Sequence, residues 1–264
     1  MDAETESREI LELATRLARA AGEIQRDRYE TALTISTKSA AIDLVTEVDH
    51  ACEALIVDEI LALRPGDAVL AEEGRGRENP DAEWRWVVDP LDGTVNYAHG
   101  FPRFCVSIGV ERRGEREVGV VYDPLLDELF HARSGGGAFL GERRLRVSQR
   151  EKLEEALVAT GFAYDVHRSR EDNLAHFGRI LKAARGVRRD GSAALDLCYV
   201  AAGRLDAYWE AKLKPWDVAA GLLIVEEAGG RCSDWQDSPP PHSGAEVLAS
   251  NGLVHAALLA QLQA

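Results

Sequence analysis

Three observations predict a mixed α and β fold for this chain. Residues 7–28 carry apolar side chains at helical spacing. From Trp86 to Leu140, β-branched runs are separated by turn residues. Beyond Leu157, short strand-like runs alternate with Ala- and Leu-rich helical stretches. The 264 residues, 45% hydrophobic and 29% charged, can bury a sizeable core. The chain reads as one domain, 1–264, with an N-terminal half of about 1–150 and a C-terminal half of about 151–264. It shows no internal repeat, no heptads and no low-complexity tail.

In the first helix, Ile10, Leu13, Leu17, Ala21 and Ile24 share one face. Leu33 to Lys38 alternates weakly, as a strand does. Thr46-Glu47-Val48-Asp49 has the form of a capping box and opens a helix through Leu63, which stops at Pro65-Gly66. Ala68 to Ala71 is a short strand feeding Glu72-Glu73, followed by a polar loop from Arg75 to Glu83. Strands are expected at Trp86-Val87-Val88, Cys105 to Glu111, Glu117 to Tyr122 and Glu128 to Ala132, with turns at Arg113-Gly114 and Asp123-Pro124. Gly135-Gly136-Gly137 reads as a turn before Ala138-Phe139-Leu140, because no Lys-Ser/Thr or helix follows it.

Leu157 to Thr160 is a further strand, and Asp172 to Ala184 a helix. Ser192 is placed to N-cap a helix to Ala202, with Gly203 as its C-terminal stop. Lys214-Pro215-Trp216-Asp217 opens another helix that Gly229-Gly230 closes. Pro239 to Pro241 mark a surface loop. Val247 to Ala249 is a last strand, and a short helix follows Gly252.

Bulk properties exclude several functions. A formal net charge of −14 disfavours nonspecific binding to nucleic acid or anionic lipid. No apolar run approaches the roughly 18 residues of a membrane span. Met1 to Glu9 lacks the basic flank and apolar stretch of a secretory signal. Cys52, Cys105, Cys198 and Cys232 are far apart and lie in or beside apolar runs, which fits buried reduced thiols and a cytoplasmic protein. The basic groups at Arg112-Arg113, Arg143-Arg144-Arg146 and Arg188-Arg189 read as solvated surface.

The chemistry centres on Asp89-Pro90-Leu91-Asp92-Gly93-Thr94. Pro90 fixes φ and Gly93 permits a sharp turn, so two carboxylates aim at one point. Held that close they repel, unless a cation lies between them. The hydroxyl of Thr94 and the amides of Gly93 and Thr94 face the same place, which suits an anion. Each motif also has a plain structural reading: an Asp-capped turn, a solvated acidic loop at Glu72-Glu73, a helix cap at Trp216-Asp217. If Glu72, Asp89, Asp92 and Asp217 converge, the donor set is all oxygen, which selects hard cations, Mg²⁺ first and Mn²⁺ as a substitute. Four carboxylates exceed one Mg²⁺ and suit an ion pair that Asp89 bridges. Helix N-termini near Thr94, Ser192 and Trp216 would favour a phosphate.

Taken together, the motifs resemble the inositol monophosphatase family over nearly the whole chain. The matching pieces are Asp43 to Asp49, Glu72-Glu73, Trp86 to Thr94 with Val95-Asn96-Tyr97, Gly191-Ser192-Ala193-Ala194, and Lys214 to Asp217 with Glu227 to Gly230. The resemblance implies a layered αβαβα sandwich of the sugar-phosphatase type, a larger sheet in the first half and a smaller one in the second. It implies two or three Mg²⁺ per site. Glu72, Asp89 and the carbonyl of Leu91 would ligate the first ion, and Asp89, Asp92 and Asp217 the second.

Thr94, paired with Asp49, would orient or deprotonate the attacking water, with Glu72 also among the catalytic groups. Asp92, Gly93, Thr94, Ala193, Glu210 and Asp217 would contact substrate. Lys38 and Glu73 fall at positions that support the metal site. Ala71 departs from the glycine usual before the Glu pair, a small change at a strand end. The implied reaction is hydrolysis of a small phosphate monoester by in-line attack of water, assisted by two metal ions, without a phosphoenzyme.

Among the family's substrates, Glu210 favours myo-inositol monophosphate, since a carboxylate there can accept two neighbouring hydroxyls. Histidinol phosphate, fructose 1,6-bisphosphate and phosphoadenosine nucleotides share the metal motif and stay open as alternatives. So does docking onto a transcription complex, as some bacterial members do. Li⁺ inhibition and a homodimer are implied as well, with no membrane and no direct nucleic-acid partner.

Overall fold

A computed structural model describes residues 3–264 of the chain; Met1 and Asp2, the start of the stretch read as lacking a signal, lie outside them. In chain order, α1 (Ala3–Arg28) leads to a small hairpin, β1 (Ile35–Thr37) and β2 (Leu44–Thr46), then α2 (Glu47–Leu63), β3 (Ala68–Ala71) and β4 (Trp84–Asp92). A short helix, α3 (Thr94–Ala98), precedes an antiparallel run of β5 (Cys105–Arg112), β6 (Glu115–Asp123), β7 (Glu128–Arg133), β8 (Gly137–Leu140) and β9 (Arg143–Arg144). The second half runs β10 (Leu157–Thr160), α4 (Leu174–Ala183), β11 (Gly186–Arg188), α5 (Ala193–Ala201), β12 (Ala207–Ala211), α6 (Pro215–Glu227), β13 (Arg231–Ser233), β14 (Glu246–Ser250) and α7 (His255–Leu262).

Strands β3 to β9 form a seven-stranded sheet in sequence order, parallel only between β3 and β4. A five-stranded sheet is ordered β11-β10-β12-β14-β13. Alternation along the strands assigns each face to a layer. In the large sheet Trp86, Val88, Ile108 and Val120 pack against α1 and α2. The opposite face, with Cys105, Val121 and Phe130, packs against α5 and α6. In the small sheet Tyr208 and Ala249 meet α5 and α6, whereas Trp209 and Leu248 face α7 and Ile180 of α4. The order is helices, sheet, helices, sheet, helices, the αβαβα sandwich that the family resemblance implies.

The middle helix layer is seated by two glycines. Gly109 on β5 pairs with Gly119 on β6, leaving a flat spot on the sheet. A Cβ at Gly109 would lie 2.6 Å from the Cβ of Ala219, and one at Gly119 would lie 2.7 Å from the carbonyl of Ala220. Helix α6 therefore rests its backbone almost directly on the sheet. That contact fixes the height of its first turn, which carries Asp217.

Several elements differ from the sequence reading. Helix α1 starts at Ala3 rather than residue 7. The strand read at Leu33 to Lys38 shrinks to the exposed Ile35–Thr37, paired with β2, because nothing covers either face of it. The helix read from Asp172 begins at Leu174, after Asn173 turns left-handed at φ 64°. Strands β11 and β13 were not expected; each is three residues long and gains its place from a neighbouring strand. Cys52, Cys105 and Cys198 are buried free thiols as expected, but Cys232 is half-buried, since β13 is a sheet edge. Among the described residues, no helix is long and apolar enough to cross a membrane.

Replacing Gly119 with Val should cost about 1–3 kcal/mol through overpacking against the α6 backbone. Urea unfolding would measure it, and a variant as stable as the parent would contradict this seating of α6.

Candidate active site

The Asp89 segment is not the simple turn that Pro90 and Gly93 suggest. Strand β4 continues through Asp92, and Pro90 sits within it. Asp89 pairs with Ser107 and Asp92 with Cys105, so three steps on β4 oppose two on β5. This is a β-bulge, a place where a strand accepts proline. The extra residue matters, because residues three apart on a regular strand face opposite sides. The bulge brings Asp89 and Asp92 round to one cavity. Gln25 of α1 donates to the Pro90 carbonyl at 2.8 Å and holds the bulge from below. Gly93 follows at φ 97°, where a Cβ would meet the Arg103 carbonyl at 2.8 Å.

Asp49 serves two partners. Its Oδ2 accepts the Thr46 amide at 2.9 Å, closing the capping box of α2 that the sequence announced. Its Oδ1 accepts the Thr94 hydroxyl at 2.9 Å across 45 residues of chain. The same hydroxyl lies 3.0 Å from the Leu91 carbonyl. Glu72 continues the β3–β4 ladder, its amide donating to Val88. Buried Glu53 of α2 accepts the amides of Glu73 at 2.6 Å and Arg75 at 2.9 Å, which shapes this acidic turn. Lys38 reaches in from the β1–β2 hairpin to Glu72 at 2.8 Å and also bonds Glu73.

The second half closes the site through α5 and α6. Asp92 Oδ2 accepts the Ser192 hydroxyl at 2.6 Å and the Ala194 amide at 2.8 Å. The same hydroxyl caps α5 by accepting the Leu195 amide at 3.4 Å. Asn96 donates to the Asp190 carbonyl at 2.8 Å and so ties α3 to the approach of α5. The five-residue α3 begins at Thr94, with Gly93 as its N-cap residue, so a helix start does stand beside the Asp89 segment. Asp217, in the first turn of α6, accepts the Lys214 amide at 2.6 Å.

One cavity of about 550 Å³ is lined by Glu72, Asp89, Leu91, Asp92, Gly93 and Thr94 from the first half. Ala193, Glu210 and Asp217 line it from the second. Every proposed site residue is therefore at this cavity or, like Asp49, hydrogen-bonded to a residue that is. Arg189, read as solvated surface, also lines it. Sequence reasoning missed Glu53, Asn96 and the Ser192–Asp92 link. Ser192 had a signal in the sequence as a helix cap, and Asn96 lay in the Val95-Asn96-Tyr97 stretch that resembles the family, but neither signal showed the partner.

The electrostatics follow from burial. Asp89 is held well above the usual carboxylate range by burial and by Glu72, Asp92 and Asp217 around it. Burial, then Asp92, does the same to Asp217. Burial pushes Asp92 up to about 6, against the bonds from Ser192 and Ala194 that favour its charge. Burial also raises Asp49. Glu73 is pushed up to about 7 by burial despite Lys38. Burial would lower Lys38, but Glu72 and Glu73 outweigh it and keep the ammonium charged. Among the described residues no three such side chains stand closed in ligand geometry; Glu72 is drawn instead towards Lys38. The donor set still fits a hard dication: carboxylate oxygens gathered at one cavity and repelling one another.

A layered αβαβα fold with an acidic cavity, a buried Thr–Asp pair and Mg²⁺-type donors defines a phosphatase acting on phosphate monoesters. The sequence profile of the inositol monophosphatase family matches residues 6–264, and the chain belongs to that family. It is 44% identical to an inositol-1-monophosphatase of Synechocystis sp., over 96% of this chain and 88% of that protein. It is 41% identical to the Nus factor SuhB of Escherichia coli, over 96% of each. Among solved structures, inositol monophosphatase from Anabaena (Nostoc) sp. superposes with a TM-score of 0.88 at 41% identity, covering 97% of this chain and 96% of that one. An IMPase/NADP phosphatase complexed with Mg²⁺ and phosphate superposes at 0.87 with 25% identity, covering 98% and 97%.

The raised carboxyls bind protons more tightly folded than unfolded. Their contribution to stability is full below the unfolded value near 4 and is lost as pH rises through the folded values. Without metal, the melting temperature should therefore fall between about pH 5 and about pH 8. Added Mg²⁺ should recover more at the higher pH, because it replaces protons there. Calorimetry in EDTA and in Mg²⁺ tests this; an equal Mg²⁺ shift at both pH values would contradict it.

Proposed function

We propose that this chain hydrolyses inositol monophosphate to inositol and phosphate in a Mg²⁺-dependent reaction, in the cytoplasm and as a homodimer. The observation that carries the reading is the Thr94–Asp49 hydrogen bond at the edge of a cavity ringed by Glu72, Asp89, Asp92 and Asp217. Glu72, Asp89 and the Leu91 carbonyl would hold one ion, and Asp89, Asp92 and Asp217 another. Bound there, Mg²⁺ would supply positive charge against the phosphoryl oxygens.

The chain's own groups account for the remaining steps. Asp49 Oδ1 accepts the Thr94 proton, so the lone pairs of Thr94 Oγ1 are free to accept a proton from water. As water attacks phosphorus opposite the leaving oxygen, its proton passes to Thr94 while the Thr94 proton passes to Asp49. A solvent proton completes the departing alcohol. Glu72, which lines the same cavity, helps orient the water. The Gly93 and Thr94 amides hold the phosphate. Ala193, Asp92, Asp217 and Glu210 contact substrate hydroxyls, and Glu210 favours a polyol.

The α5–α6 layer shared by the two sheets supports reading 1–264 as one domain. Free thiols at all four cysteines support a reducing compartment. The homodimer and Li⁺ sensitivity rest on the family resemblance. A relative named Nus factor at 41% identity supports a second role, docking onto a transcription complex, which need not use the phosphatase chemistry.

Phosphate release from inositol 1-phosphate, scored by kcat/KM beside histidinol phosphate and fructose 1,6-bisphosphate, tests the substrate. EDTA should abolish turnover and Mg²⁺ restore it. Asp92→Asn should lose at least about 10²–10³-fold in kcat. A folded wild type inactive on all three esters would defeat the reading and leave the docking role in its place.

A further inference from the structure

Glu210 has surroundings that its place on β12 alone does not explain. The Tyr208 hydroxyl, on the same strand and buried in the same middle layer, donates a hydrogen bond to Glu210 Oε2. Residues two apart on a strand face one side, so Tyr208 stands behind Glu210 as seen from the cavity. Oε1 takes no hydrogen bond from any described residue. Opposite, Gly161 leaves space for the carboxylate: a Cβ there would lie 2.0 Å from Oε2 and 2.3 Å from Oε1. Gly161 is itself pinned. Asn173 donates to its carbonyl at 2.8 Å and to Thr160 Oγ1 at 2.9 Å, and the Thr160 hydroxyl donates to the Trp209 carbonyl at 2.6 Å. Trp209 Nε1 returns the tie by donating to Asn173 Oδ1 at 2.9 Å.

We propose that Tyr208 and Gly161 are positioning residues that set substrate preference by holding the Glu210 carboxylate in one orientation, with Oε1 presented to a hydroxyl of the leaving group. The inference rests on the reading above that Glu210 meets a substrate hydroxyl. Burial pushes Glu210 up to about 7 and the Tyr208 hydrogen bond favours its charged form; once ionised it only accepts, so the donor from Tyr208 to Oε2 leaves Oε1 as the acceptor offered to substrate. Without that bond the side chain regains rotamers, and the cost falls on substrates that need Oε1. Without the gap over Gly161 the carboxylate is pushed off its seat. A phosphate ester with no hydroxyls on its leaving group is indifferent to both.

The test compares inositol 1-phosphate with phenyl phosphate for wild type, Tyr208→Phe, Gly161→Ala, Glu210→Gln and the Tyr208→Phe/Glu210→Gln double variant. Tyr208→Phe and Gly161→Ala should each raise KM for inositol 1-phosphate about 5- to 10-fold, with kcat within about twofold and phenyl phosphate unchanged. The double variant should be no worse than Glu210→Gln alone, since both remove the same contact. Equal effects on the two esters would show a general structural role and overturn the proposal. So would silence of both positioning variants beside a selective Glu210→Gln, which would leave the Glu210 reading intact. If Glu210→Gln itself discriminates between neither ester, the Glu210 reading falls and this inference falls with it. If Tyr208→Phe does not fold, Gly161→Ala decides alone, because Gly161 is not in a left-handed conformation and alanine fits its backbone.

Discussion

The site depends on one contact between halves: the Asp92 carboxylate accepting the Ser192 hydroxyl and the Ala194 amide. It joins residues about one hundred apart in the chain across the boundary between the large sheet and the middle helix layer. The bond does two things with one oxygen. It satisfies an amide at the start of α5 that would otherwise lack an intrahelical partner, and it fixes which way Asp92 faces. A carboxylate this deeply buried would be costly without such donors. With them, Asp92 can sit where its other oxygen and those of Asp89 and Asp217 meet.

The rest of the scaffold serves the same convergence from separate directions. The bulge in β4 turns Asp89 and Asp92 to one side. The paired glycines on β5 and β6 lower α6 until Asp217 reaches the same level. Glu53 folds the acidic turn so that Glu72 faces inwards. Each device is rigid backbone or a fully bonded buried polar group, which lets a cavity hold several like charges without collapsing. The net charge of −14, unpromising for an anionic substrate, is concentrated in part at the place where a cation would reverse it.

Much of this was legible in the sequence because it is written locally. The Thr46–Asp49 capping box, the Ser192 cap and the glycine stop after α5 lie within a few residues of what they bind. The long periodic helices and the β-branched strands declare themselves by spacing. The edge strands β11 and β13 do not, since three residues carry no usable period and owe their place to a partner. The bulge was read as a turn because Pro90 and Gly93 suit both, and only the register against β5 separates them. Glu53 looked like one more charge in a helix, and its burial beneath the Glu72-Glu73 turn is a tertiary fact. The site's ingredients were visible; the struts that aim them were not.

Asp49 ends one helix and steadies one hydroxyl with the two oxygens of a single side chain. The thermal fraying of α2's first turn and the alignment of Thr94 are thus the same event seen from two sides. Helix ends open at lower free energy than the whole molecule. On the roles proposed for Asp49 and Thr94, warming should dim turnover before any bulk probe of folding reports a change, and a graft that makes α2 sturdier by recruiting Asp49 to some other partner would silence the enzyme it was meant to protect.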